Sequence, residues 1–130
     1  MVSLMQDDAW VPLDTPIILT IAWIADTTEL VADYLAALDL TVILDGEPLP
    51  DVMDYWSEIG EYGDYDEDGD TDYVSRWRYP VGVLSAGEHQ VESEFHLLWP
   101  VTDGFDLDED GVPDEYSGSW EYFLQLIVGG

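Results

Sequence analysis

Two stretches of this chain alternate carboxylates at a spacing that suits a hard cation. They are Asp64-Tyr65-Asp66-Glu67-Asp68-Gly69-Asp70-Thr71-Asp72 and Asp106-Leu107-Asp108-Glu109-Asp110-Gly111-Val112-Pro113-Asp114, and both read D-x-D-x-D-G-x-x-D. Calcium takes about six to eight oxygen ligands at about 2.3–2.6 Å, and alternating carboxylates converge on one ion when the backbone wraps around it. The sharp turn this requires is supplied by glycine at the sixth place, Gly69 in one loop and Gly111 in the other. Magnesium suits the pattern less well, because it holds a strict octahedral shell and dehydrates reluctantly.

The rest of the composition points the same way. Thirty Asp and Glu stand against two Arg and no Lys, for a formal net charge of −28. Nucleic-acid binding needs clustered basic side chains against phosphate, so that class is excluded, and anionic lipid is disfavoured as a docking surface. A cation is the natural counterpart. A salt-adapted surface would spread its charge, whereas residues 54–72 hold nine acids and 103–115 hold seven, over half of the thirty. Acids packed this densely repel one another, so a compact loop without an ion would be costly.

The loops resemble the DxDxDG calcium loops of EF-hands, dockerins and thrombospondin type 3 repeats, the second loop most closely the last of these. The resemblance implies ligands Asp64, Asp66, Asp68, Asp70 (through its carbonyl) and Asp72 in the first loop. In the second it implies Asp106, Asp108, Asp110, Val112 (through its carbonyl) and Asp114. An EF-hand adds a bidentate Glu at position twelve, where this chain has Ser75 and Ser117. The missing carboxylate must come from elsewhere or be replaced by water: Glu115 is near the second site, and Asp54, Glu58 or Glu61 near the first. EF-hand helices are therefore not expected, and affinity belongs nearer the extracellular range of about 10⁻⁴ to 10⁻³ M than the sensor range.

The elements that must carry these loops read mostly as strands. The 130 residues suit one domain, 1–130, and the apolar content of 47% with six Trp and eight Tyr provides for a core. Period-two alternation and β-branched runs place strands at 16–25, 39–45, 50–57, 73–84, 88–99 and 119–128. Asp26-Thr27-Thr28-Glu29 carries a capping-box pattern with Asp26 as N-cap, and a short helix follows over about 27–38. About seven short strands with regular turns point to an all-β, antiparallel sandwich. The stretch from Leu84 to Val91 resembles the corner between the fifth and sixth strands of bacterial immunoglobulin-like modules, which implies an immunoglobulin-like sandwich. If successive strands run antiparallel, the helix and both acidic loops fall at one pole.

Other residues carry less chemistry. Trp23, Trp77, Phe95, Trp99 and Trp120 occupy inward-reading positions, and Tyr55, Trp56, Tyr62, Tyr65 and Tyr116 are expected to pack under the loops. Arg76 and Arg78 read as surface ion partners, and His89 and His96 as unrelated to each other. There is no cysteine, and no G-x-S-x-G, H-E-x-x-H or phosphate-cradling glycine loop, so the reading is not that of an enzyme. No apolar run reaches the roughly 18 residues of a membrane span, and Met1 to Gln6 is too short for a signal peptide. The sequence thus reads as a calcium-binding structural or interaction module of an extracellular or cell-surface protein, processed or excised from a longer chain. Its expected partners are two or more Ca2+ ions and neighbouring modules or copies of itself, through exposed edges such as the strand after Pro16. The rival expectation is a carbohydrate-binding module with structural calcium, its glycan stacked on exposed Trp56, Tyr62 and Trp120.

Overall fold

The alternating segments do form strands. In the computed structural model, which describes residues 1–106, 111, 112 and 114–129, the chain is predominantly β with one short helix. In chain order the elements are β1 (Val2–Ser3), β2 (Asp8–Pro12), β3 (Ile17–Ala25), α1 (Thr28–Ala37), β4 (Leu38–Leu44), β5 (Glu47–Pro48), a 3-10 turn (Val52–Tyr55), β6 (Gly60–Gly63), β7 (Asp72–Gly82), β8 (Gly87–Thr102) and β9 (Glu115–Gly129). One sheet has the order β1-β3-β7-β6 and the other β2-β9-β8-β4-β5. Inward residues of both meet in one core, with Leu19, Trp77, Phe95 and Leu126 fully enclosed. Trp77 is fixed further by its indole N–H, which donates to the Val52 carbonyl at 2.6 Å.

Both sheets are mixed, which corrects the expectation of an antiparallel sandwich. The central pairs β3/β7, β4/β8 and β8/β9 are antiparallel, but β1 runs parallel to β3 and β2 parallel to β9. Both parallel pairs involve the first twelve residues. This segment contributes two residues to one sheet before crossing to the edge of the other, so its direction is set by where it lands and not by a hairpin.

Three local expectations also change. The 50–57 strand is replaced by the 3-10 turn, because Asp51 adopts a left-handed backbone (φ 56°) after Pro50; Trp56 alone makes an isolated bridge, to Trp77. The helix is capped by Thr27, whose hydroxyl accepts the Leu30 N–H at 3.2 Å, and not by Asp26. Trp99 is 48% exposed, because β8 bulges against β9 between Leu97 and Val101 and the inward alternation is interrupted there.

The end of β3, the start of α1, the loop from β6 to β7 and the segment after β8 gather at one pole. The Asp26 N–H donates to the Asp103 carbonyl at 2.8 Å, and the rings of Tyr65 and Phe105 lie 5.4 Å apart. The described segment leading into the second acidic loop therefore lies beside the first loop.

Candidate metal centre

The first loop is wound by its own carboxylates. Asp64 accepts the Asp68 N–H at 3.0 Å on Oδ1 and the Gly69 N–H at 2.8 Å on Oδ2, so its side chain closes the turn that Gly69 (φ 90°) makes possible. Asp68 Oδ1 accepts the Asp70 N–H at 2.9 Å. Asp72 opens β7 and reaches back, its Oδ2 accepting from Tyr65 N at 2.7 Å and Asp66 N at 3.4 Å. Winding of this kind turns side chains at alternate positions toward a common centre. Asp64, Asp66, Asp68 and Asp72 each offer an oxygen within 4.8 Å of the others, a group that could hold a metal ion.

Burial makes the group unusual. Asp72 is fully buried and its Oδ1 has no hydrogen-bond partner; the enclosed Oδ1 of Asp66 also has none. A buried unsatisfied polar atom costs about 1–3 kcal/mol, and more when charged. Partial burial, followed by repulsion from Asp72 and Asp68, pushes the Asp66 carboxyl up to about 6. Burial, then the charges of Asp68 and Asp72 and a side-chain contact with Asp72 at hydrogen-bonding range, raises the Asp26 carboxyl as well. Among the described residues no Arg forms an ion pair within 4.0 Å; the one such pair is His89 with Asp45. Arg76 instead lies over the Tyr62 ring at 5.9 Å, which corrects its expected role as an ion partner. The compensation this site lacks is positive charge.

The predicted ligands are brought together to different degrees. Asp64, Asp66, Asp68 and Asp72 converge; the Asp70 side chain is not part of the group. Position twelve, Ser75, is buried and its hydroxyl donates to the Ser57 carbonyl at 2.8 Å, so it is engaged away from the loop. In the second loop Asp108 and Asp110 lie outside the described residues. What is described matches the first loop: the Gly111 N–H (φ 85°) donates to Asp106 Oδ2 at 2.8 Å, five residues back, as Gly69 does to Asp64. The Asp114 N–H donates to the Phe105 carbonyl at 2.7 Å, and the Thr102 hydroxyl to the Asp114 carbonyl at 2.5 Å. Val112 is exposed, and Glu115 pairs with Thr102 at the start of β9, lining a shallow groove with Leu30, Asp33 and Trp99.

Sequence reasoning did not single out Asp103. It is 6% exposed, with Oδ1 accepting the Phe105 N–H at 2.9 Å and Oδ2 the Tyr116 hydroxyl at 3.1 Å. Burial raises its carboxyl and pushes the Tyr116 hydroxyl up to about 12. It ties the base of the second loop to β9. An acid placed just before a D-x-D-x-D-G run and followed by Gly-Phe was the available signal.

Fold and site together define an all-β, two-sheet protein with a wound carboxylate cluster able to take a metal ion. Comparison with protein-family models, curated proteins and solved structures finds no match to this chain.

Proposed function

We propose that this chain is a calcium-binding structural or interaction module of an extracellular protein, with both Asp-rich loops ordered by Ca2+. The observation that carries the reading is the Asp72 carboxylate, fully buried in a four-Asp group with one oxygen unpartnered. A calcium shell with oxygens at about 2.3–2.6 Å is about 4.6–5.2 Å across. Four oxygens no more than 4.8 Å apart fit on it. Remaining positions would be filled by carbonyls, of which Asp70 is the first-loop candidate and Val112 the second, and by water. The repeated Asp-to-Gly N–H bond at Asp64 and Asp106 supports a second ion in the second loop. Weak sites of this kind are filled where calcium is abundant, which favours the outside of the cell.

The strand orders β1-β3-β7-β6 and β2-β9-β8-β4-β5 support an immunoglobulin-like module, since they correspond to an ABED sheet facing a GFC sheet with extra edge strands. Partners on this reading are neighbouring modules or further copies. β1 covers only Leu19 and Thr20 of β3, which leaves the rest of that edge for an added strand. The glycan reading is weaker. Tyr62 is exposed, but Trp56 and Trp120 are half-buried in ring contacts with Tyr34 and Phe95. Melting in excess EDTA against excess calcium tests the proposal: a large upward shift with calcium is expected, and equal melting in both would remove its basis.

A further inference from the structure

One more carboxylate, from outside either motif and outside the four converging Asp, stands beside the first loop. The β3/β7 ladder ends with Ala25 opposite Tyr73, and its register continued by one residue points Asp26 toward Asp72. Opposite residues of an antiparallel pair project from the same face with Cβ atoms about 4.5–5.5 Å apart, and like charges there are destabilising. Asp26 is also free of the duty its position suggests, because Thr27 caps α1. Its main-chain N–H is held by the Asp103 carbonyl at 2.8 Å. Its side chain is pressed against Gly104, where an added Cβ would sit 2.8 Å from Asp26 Cβ and 3.6 Å from Oδ2.

We propose that the Asp26 carboxylate is a ligand of the ion held by the first loop, taking the part that an EF-hand gives to its twelfth residue. The proposal rests on the calcium reading above. Three features carry it besides the register. Ser75, the residue at the twelfth place, is turned away to Ser57. Asp72, facing Asp26, has a buried oxygen with no partner. Asp26 itself has no basic partner within 4.0 Å among the described residues. A cation held between the two side chains would satisfy Asp72 Oδ1, which no donor of the chain reaches. Because Asp26 is tied through its N–H to Asp103, an ion on its carboxylate also steadies the base of the second loop.

Calorimetric titration of the intact chain with calcium separates the possibilities, with Asp72→Asn as the reference and Asp26→Asn as the test. Asp72→Asn is expected to abolish binding at the first site. Asp26→Asn is expected to weaken that site by at least the roughly 10- to 100-fold that loss of an outer-shell partner costs, with the second site still titrating. In EDTA, Asp26→Asn should melt no lower than the parent chain, since a merely structural Asp26 would show its loss there. Parent-like calcium affinity in Asp26→Asn, alongside a lost site in Asp72→Asn, overturns the proposal and leaves the calcium reading standing. Absence of binding heat in the parent chain overturns both. Should Asp26→Asn not fold, Asp26→Ser is read in the same way.

Discussion

Asp72→Asn separates an ion site from an ordinary buried acid, because the two make opposite predictions for the ion-free protein. The amide oxygen of the substituted side chain can still accept from Tyr65 N and Asp66 N. The change replaces the unpartnered Oδ1 with an NH2 donor facing other carboxylates. In EDTA the variant should gain about 1–3 kcal/mol, the cost of the orphaned acceptor. Calcium at about 100 times its dissociation constant, roughly 10 mM for a site of about 10⁻⁴ M, adds about 2.7 kcal/mol per ion. For 130 residues the entropy of melting is about 0.27 kcal/mol per kelvin, so each ion raises the melting temperature by about 10 °C and the EDTA gain amounts to about 4–11 °C. The parent chain should therefore rise by about 20 °C with two ions, and Asp72→Asn by about 10 °C from a higher start. Differential scanning calorimetry of both proteins, in EDTA and in calcium, gives all four values. An EDTA melting point lowered by the substitution, with the calcium increment unchanged, would refute the argument that this carboxylate awaits a cation.

Three further outcomes follow from the packing and the charges. Gly104→Ala should destabilise the protein by about 1–3 kcal/mol in urea, because φ is 81° and the new methyl meets the immobile Asp26 Cβ as well as Leu30 at 2.8 Å; an unchanged midpoint would refute the close approach. Phe95→Ala, at a fully buried ring stacked on Trp120, should cost about 3–5 kcal/mol by the same assay. His89→Ala tests the His89–Asp45 contact at 2.6 Å, in which the Asp45 hydrogen bond, then the Ser85 carbonyl, raises the imidazole. Burial alone would raise Asp45, but His89 and the Gln90 N–H outweigh it and hold that carboxyl low. The His89 contribution is full below about pH 6.5 and fades as pH rises through its raised value; that of Asp45 is present above about pH 3.9 and fades as pH falls through its lowered value. The stability difference between parent and His89→Ala in EDTA should thus be largest near about pH 5.5 and smaller at about pH 8, the acidic loops cancelling in the difference; a difference that grows with pH would refute it.

Much of this architecture is written locally. The helix Thr28–Ala37 and the strands β4, β7, β8 and β9 follow from spacing, because one face of each is buried and the periodicity records it, and β3 follows from its dense β-branched apolar run. The winding of the acidic loops follows from Gly69 and Gly111 and from carboxylates that bond their own backbone. What sequence does not record is juxtaposition. Val2–Ser3 and Asp8–Pro12 are too short for a period to declare itself, and their parallel pairing depends on strands more than a hundred residues away in one case. Val52–Tyr55 alternates acceptably, yet the left-handed Asp51 turns it out of a sheet. Asp26 looks like a cap by spacing, and its approach to Asp72 is suggested only by the register of β3 against β7, which ends one residue earlier at Ala25 and Tyr73. Likewise the composition of the loop cannot say that its ninth residue, Asp72, is the one deprived of water; that follows from its being the first residue of a buried strand.

The parallel pairing of β2 with β9 bears on how the protein carries load. Asp8 to Pro12 lie in register with Gln125 to Gly129, so the first long strand and the last are bonded directly and point the same way. Tension applied at the two ends of the chain pulls these strands in opposite senses along their shared length. Once the two-residue pairing of β1 with β3 has yielded, the cross-links between β2 and β9 are sheared together rather than unzipped in turn.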